Sequence, residues 1–409
     1  MKKTICLATN WYPTKENPFV GHFFKEQAFV VEDEFDFIIF RYQEKLRKKP
    51  WQKDEVYICN EERNTVEYTA VAYIPITTYI ENFLHNVVVK LKKETVDGIG
   101  RYISSSRKKF TKKKICELFS KTGQSVDVFY CVDAQNEAYN LQCLAKAYNK
   151  SYVVGEHAPV PWPGSLISDV NKYAIEGANR FLAISHDKIR QILLQNIKLP
   201  PIFYIGNLID ETNLLYSPRK ESDVKTFVIV AAHSFYKNYD MFINVMNRLT
   251  ELTEKDFRVM VVGYGANKGY SKNIEELENK IYQSKFASKA ELIPSVPHEK
   301  IGGIFNRADA FVMTSIQEGQ PVSAMEAACC GLPIFSTRCG GVEDYVDNSM
   351  GRIYSVSDVD GMANGLKEFI EDTIRFEPLH IRNKVIDIFG RDAFRKKFLQ
   401  VFREVMNNA

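Results

Sequence analysis

The chain has 409 residues, 45% of them hydrophobic and 26% charged, with a formal net charge of +3. That length exceeds a single core and predicts two domains, the composition is that of a globular protein, and the near-neutral charge gives no case for nucleic acid as a partner. No apolar run reaches the roughly 18 residues of a spanning helix, and the short apolar run ahead of Asn10 is too brief for a signal-peptide core, so it reads as a first strand.

The first half predicts strands at TICLA, FDFIIF, TAVAYI, DVFYCV, SYVVG and RFLAI, with helices over 23–31, 134–148 and 186–194. Residues 84–121 stand apart. They hold 11 Lys or Arg against three acids, with apolar positions such as Val87, Leu91, Phe110 and Ile115 interleaved. A basic amphipathic stretch of this kind suits an anionic membrane surface, although a solvated helix face or an insertion has the same pattern. Pro and Gly punctuate residues 199–218, the best candidate for a linker. From Thr226 onward strands and helices alternate regularly: TFVIVAA, a helix over 240–249, FRVMVVG, a charged helix over 273–285, AELI, a helix over 301–307, AFVM, a helix from Pro321, and PIFS. Unbroken apolar strands between helices predict a doubly wound parallel α/β domain. The reading is two Rossmann-like domains facing across a cleft: residues 1–205, and residues 206–389, with a last helix over about 390–409 packing back on the first.

Eight cysteines occur without a C-x-x-C pair or zinc-site spacing, so reduced thiols in a cytoplasmic protein are expected. The segment of densest chemical meaning is EGQPVSAMEAACCGLPIFSTRCGGVE, residues 318–343. Pro321 suits the first position of a helix, where its missing N–H costs nothing, which puts Glu318 in the loop before the helix and Glu326 inside it. Gly331 and Pro333 end that helix. Amides at a helix start attract anions, and carboxylates on either side can hold hydroxyls beside a bound phosphate. A nucleotide sugar has both.

This stretch resembles the donor-site signature of the family 4 glycosyltransferases, retaining enzymes of the GT-B fold. The E-x7-E register and its tail match at Glu318, Gly319, Pro321, Glu326, Ala327, Gly331, Pro333, Thr337, Gly340, Gly341 and Glu343, eleven positions over 26 residues. The resemblance implies that Glu318 contacts the donor sugar and Glu326 the ribose, with the backbone of Gln320, Val322 and Ser323 facing the diphosphate. It also implies a Lys and an Arg after the first strand of the second domain. Lys237 fits the first, whereas the Arg position falls near Ala232, with His233 beside it as a substitute or a packing residue. In the first half, NWYPTKENPFVGHFFKEQ looks like the family's loop after the first strand, where Gly21 would admit a phosphate or acceptor. VVGEHAP looks like the strand end bearing a His near the donor sugar, here His157 with Glu156 beside it. Minor echoes lie around Ser185 and Asn207 to Asp210, toward the hinge.

Two motifs read as decoys. VVGYGANKG spaces Gly263, Gly265 and Gly269 too widely for a dinucleotide fingerprint and follows the wrong strand, so Gly263 is expected as a strand-end turn near the nucleotide. Asp358 and Asp360 imitate a metal-binding pair but open a helix, where acids favour the N-terminus, and no metal is assigned. The expected activity is retaining transfer of a hexose-type sugar from a nucleoside diphosphate to an acceptor hydroxyl, with Glu318, His157 and Lys237 nearest the chemistry and no cofactor. The acceptor is expected to be a saccharide or lipid-linked saccharide in bacterial surface-polysaccharide assembly. The protein would then be cytoplasmic or peripheral on the inner membrane face through residues 90–121. A silent nucleotide-sugar binding module, an epimerase or a phosphorylase are the alternatives. The absent Arg favours the first, while the glutamate register and the lack of a phosphate site argue against the others.

Overall fold

The computed structural model describes residues 2–14, 21–92, 103–158, 167–219, 222–265 and 271–407. The chain divides into two compact units, one of Met1–Gly206 with Arg395–Ala409 and one of Asn207–Phe394. Residues 15–20 of the first loop, Lys93, Arg101 and Gly269 lie outside the described residues, as do the side chains of Lys90 and Lys92.

The first unit runs β1 (Lys3–Ala8), α1 (His22–Val30), β2 (Phe35–Leu46), β3 (Glu55–Glu62), β4 (Thr65–Ile74), α2 (Ile76–Lys92), α3 (Ser105–Ser120), β5 (Val128–Cys131), α4 (Ala134–Tyr148), β6 (Ser151–Gly155), α5 (Asp169–Glu176), β7 (Arg180–Ala183), α6 (His186–Leu193) and β8 (Ile202–Tyr204). Its sheet has the order β3-β4-β2-β1-β5-β6-β7-β8. The central strands are apolar on both faces because helices cover both, as a parallel sheet requires. The strands pair in parallel except β3, which pairs antiparallel with β4 and breaks register between Ile58 and Asn60. An exposed, bulged edge strand of this kind resists pairing with other chains. The described residues of the basic stretch lie mostly in α2 and α3, and part of their charge is used internally: Arg107 pairs with Glu44, and Lys114 lies 2.7 Å from Asp54.

The second unit continues with β9 (Lys225–Val230), α7 (Tyr239–Leu252), β10 (Phe257–Val262), α8 (Ser271–Tyr282), β11 (Ala290–Ile293), α9 (Ile301–Phe305), β12 (Ala310–Met313), α10 (Val322–Cys329), β13 (Ile334–Thr337), β14 (Gly351–Tyr354), α11 (Val359–Ile370) and α12 (Pro378–Phe389). Its sheet is parallel throughout, in the order β11-β10-β9-β12-β13-β14. Phe227, Val259, Phe242 and Phe335 belong to one buried cluster between sheet and helices. A last helix, α13 (Arg391–Asn407), contributes its residues from Arg395 onward to the first unit. There Phe398 and Phe402 pack edge-on against Phe35, and Arg395 reaches Asp33 at 2.7 Å. Among the described residues no helix is long and apolar enough to cross a membrane.

Candidate functional site

In an open parallel sheet, ligands bind beyond the carboxyl ends of the strands where the strand order reverses. In the second unit that point lies between β9 and β12. The segments leaving these two strands carry Lys237 and Glu318, whose Nζ and Oε1 are 2.6 Å apart. The pair is only partly dry, with side-chain exposures of 26% and 13%.

Each member is held by the backbone around it. Lys237 ends a single 3-10 turn ahead of Asn238, whose side chain accepts from Met241 N at 3.3 Å and so caps α7. Thr314, just past β12, donates to the carbonyls of Lys237 and Asn238 at 3.2 and 3.1 Å. On the other side, Ser315 Oγ donates to Glu318 Oε1 at 2.7 Å, and Glu318 N donates to Cys339 O at 2.7 Å. Thr337 ties the same segment down through Ser315 O at 2.6 Å. The carboxylate of Glu343 folds back on Gly340 N at 3.1 Å. Gly341 follows with φ +74°, and a Cβ there would lie 2.5 Å from Gly319 O. Only glycine fits a left-handed residue pressed on another backbone. The two glycines of the tail motif thus serve the loop that bears Glu318.

The helix behind this loop begins one residue later than the sequence suggests. Pro321 is the N-cap of α10, with extended backbone (φ −72°, ψ 105°), and the first helical residue is Val322. Pro321 still shapes the entry, but as the residue outside it, and Glu318 lies further ahead of the helix. Among the described residues no side chain caps α10. Val322 and Ser323 open it, and first-turn N–H groups have no acceptor within a helix. Gln320 is buried and faces inward: its Oε1 accepts from Asn207 N at 2.6 Å and its carbonyl from Asn207 Nδ2 at 3.1 Å. Asn207 and its neighbours, a minor sequence echo, are therefore the brace under Gln320.

Glu326 lies one turn into α10, buried, with Oε1 2.7 Å from His298 Nε2. His298 escaped the sequence reading, and its only local signal is a position shortly after β11. Gly263 ends β10 with φ +81°, its N donating to Ile293 O at 2.8 Å, at the same carboxyl edge of the sheet. His233 stands beside the position where the sequence lacks the Arg. Burial, then Lys280, lowers its pKa from the ordinary value, and its ring leans on Tyr239 at 5.6 Å. Burial likewise raises the Cys339 thiol well above its usual range, so no thiolate competes as a nucleophile here. Asp358 caps α11, accepting from Gly361 N at 2.9 Å, and Asp360 pairs with Arg248 at 2.7 Å.

His157 and Gly21 belong to the first unit. The reversal point of its sheet lies between β1 and β5, and both residues follow strands at that edge. Gly21 has φ +64°, and a Cβ on it would stand 2.4 Å from Trp11 O. Phe24, one turn into α1, meets the His157 ring edge-on at 4.8 Å. Glu156 is fully buried and structural: its carboxylate accepts from Gln135 N at 2.8 Å and Ala158 N at 2.9 Å. Burial, then the neighbouring Asp133, pushes its pKa up to about 8, against the opposing pull of Lys188. Glu137, held by Asn10 at 2.7 Å and Asn140 at 2.9 Å, is raised by burial to about 7. Ser185 is a helix cap, accepting from Lys188 N at 3.0 Å.

Residues 210–385 match the family model described as glycosyl transferases group 1. A phosphatidylinositol N-acetylglucosaminyltransferase subunit from Arabidopsis thaliana is 25% identical over 53% of this chain and 48% of its own length. The chain thus spans about half of that relative. A lipopolysaccharide 1,6-galactosyltransferase from Escherichia coli is 23% identical over 69% of this chain and 75% of its own. Among solved structures, a trehalose-6-phosphate protein from E. coli bound with UDP-2-fluoro glucose superposes with a TM-score of 0.70 at 11% identity, covering 99% of both chains. The fold is GT-B, built of two Rossmann-like domains, and the matches support a glycosyltransferase family for this chain.

Proposed function

We propose that this chain is a retaining glycosyltransferase that moves a hexose-type sugar from a nucleoside diphosphate sugar to an acceptor hydroxyl. The observation that carries the reading is the Lys237–Glu318 pair at 2.6 Å, standing at the reversal point of a parallel sheet beside the uncapped start of α10. A site that must accept charge on a leaving diphosphate and hold a sugar needs a cation, free amides and a carboxylate together. Lys237, the amides of Val322 and Ser323, and Glu318 supply them. Glu326 then takes the ribose hydroxyls, exchanging or sharing its contact with His298. Gly263 and Gly319 leave room for the nucleotide, and Gly21 and His157 are the first unit's own candidate binding residues, the one for a phosphate or acceptor and the other for a sugar. Displacement proceeds on the face the phosphate leaves, and that phosphate takes the acceptor proton. No metal is required, because the cation and the preorganised amides carry the charge.

The acceptor in this reading is a saccharide or lipid-linked saccharide of a bacterial surface polysaccharide, met at the cytoplasmic face of the membrane. The exposed lysines of α3, Lys109, Lys112 and Lys113, favour an anionic surface, and the bacterial lipopolysaccharide galactosyltransferase among the relatives fits the same setting. A silent binding module keeps one observation in its favour, the depressed pKa of His233 where a fixed cation is expected. Incubating the protein with a panel of nucleoside diphosphate sugars and saccharide acceptors separates the two. An enzyme releases nucleoside diphosphate in step with product, and a module binds a donor without releasing any.

A further inference from the structure

Helix α2 is amphipathic in the wrong sense for a helix on water. Ile76, Tyr79, Ile80, Phe83, Leu84 and Val88 are all exposed, and their spacing of three, four, seven and eight puts them on one face. The opposite side carries amides. Asn82 Oδ1 accepts from Ser104 N at 2.9 Å, and buried Asn86 donates to Asn82 O at 2.7 Å. The amide-bearing side thus meets the protein, while the apolar stripe meets solvent together with Thr77, Glu81 and His85 along its border. A contiguous apolar stripe left outside marks a contact surface.

The surroundings say what covers it. Helix α3 packs on α2 and presents Lys109, Lys112 and Lys113 exposed, none of them in an ion pair among the described residues. The loop between β2 and β3 is tied beside the start of α2, with Arg47 N on Ile74 O at 2.9 Å and Tyr73 N on Asp54 at 2.8 Å. That loop exposes Trp51 at 72%. An apolar stripe flanked by uncompensated cations, with Trp and Tyr at its border, matches an anionic bilayer. The hydrocarbon boundary takes the stripe, the headgroups meet the cations, and the aromatic rings sit between.

We infer that the outward face of α2 seats this chain on an anionic lipid surface, inserting its apolar stripe while the lysines of α3 meet the headgroups. The inference rests on the membrane-side reading above and changes its physics, from attraction by charge alone to insertion. The full chain is sedimented with phosphatidylcholine vesicles, with and without phosphatidylglycerol, at low and high salt. Binding of the panel of nucleoside diphosphate sugars is titrated in parallel. The parent should bind the anionic vesicles and keep part of that binding at high salt, because insertion is not screened. Ile80→Asn with Phe83→Asn should lower partitioning by about tenfold or more at either salt. Lys109→Glu with Lys112→Glu and Lys113→Glu should lower it mainly at low salt. Both substituted sets are exposed, and an unchanged melting temperature checks that the fold is intact. A parent that ignores vesicles, or an Ile80/Phe83 variant that binds like the parent, overturns the inference. So does a parent dimer that dissociates in that variant without any vesicle binding, since a second copy would then cover the stripe. Nucleotide binding without vesicle binding removes this inference and leaves the glycosyltransferase reading standing. Vesicle binding without nucleotide binding does the reverse.

Discussion

Replacing Gly341 by Ala tests whether the tail motif exists to support the Glu318 loop. The new Cβ would lie 2.5 Å from Gly319 O, 2.7 Å from Gln320 Cα and 3.1 Å from Gly319 C. All three are backbone atoms and cannot rotate aside. A left-handed φ costs Ala about 1 kcal/mol, and overpacking of this kind about 1–3 kcal/mol. Together these predict a loss of about 2–4 kcal/mol, or about 5–15 °C in melting temperature for a unit of this size. The strain falls on the segment between Glu318 and α10, so donor turnover should fall with it, by about tenfold or more in kcat/KM. Gly303 gives the control: nothing stands within 4 Å of its Cβ position, and in α9 an Ala should stabilise by about 0.4–1 kcal/mol with unchanged kinetics. Thermal unfolding and steady-state kinetics on both variants decide the matter. Parental melting and turnover in Gly341→Ala would refute the packing reasoning.

Lys237→Gln should lower kcat by about a hundredfold or more, yet move stability by less than about 1 kcal/mol because the pair is partly solvated; full turnover in that variant would remove Lys237 from the chemistry. Glu156 carries a pKa raised to about 8 by burial. The folded state therefore holds its proton more tightly than the unfolded chain does, and the stability this contributes, complete below the usual carboxylate range, is lost as pH rises through about 8. Glu156→Gln should flatten that part of the pH dependence of melting, and an unaltered slope would contradict it. Turnover should persist in the presence of EDTA, and loss restored by a divalent cation would show that the charge on the diphosphate is met by metal.

Much of this fold can be read from residue order, for physical reasons that differ from place to place. AFVM forms a strand at those residues because a short apolar run between helices has no other way to bury both faces, and AELI adds the partly buried edge strand beside β10. Helix α4 was legible for a similar reason, from its periodic apolar face. Strand β3 was not, since EVYICNEE lies on an exposed edge and has no burial pattern to betray it. Strand β14, four residues GRIY, is too short and too polar to stand out. At the site, Glu318 and Lys237 were legible through motif spacing, but their contact joins residues 81 apart and only the sheet order explains it. His298 was illegible because its meaning lies in Glu326, 28 residues on. The start of α10 was misplaced by one residue because Pro serves equally at a cap and at a first turn. The ψ of 105° at Pro321 decides for the cap.

The central claim is sugar transfer at the Glu318–Lys237 centre with the anomeric configuration kept. It is tested most directly by following the anomeric proton of the product by NMR, with an α-linked nucleoside diphosphate hexose that the protein turns over. The parent should give an α-linked product from the first time point, and Glu318→Gln should lose transfer by about a hundredfold or more. A β-linked product, or a Glu318→Gln variant as fast as the parent, would contradict it.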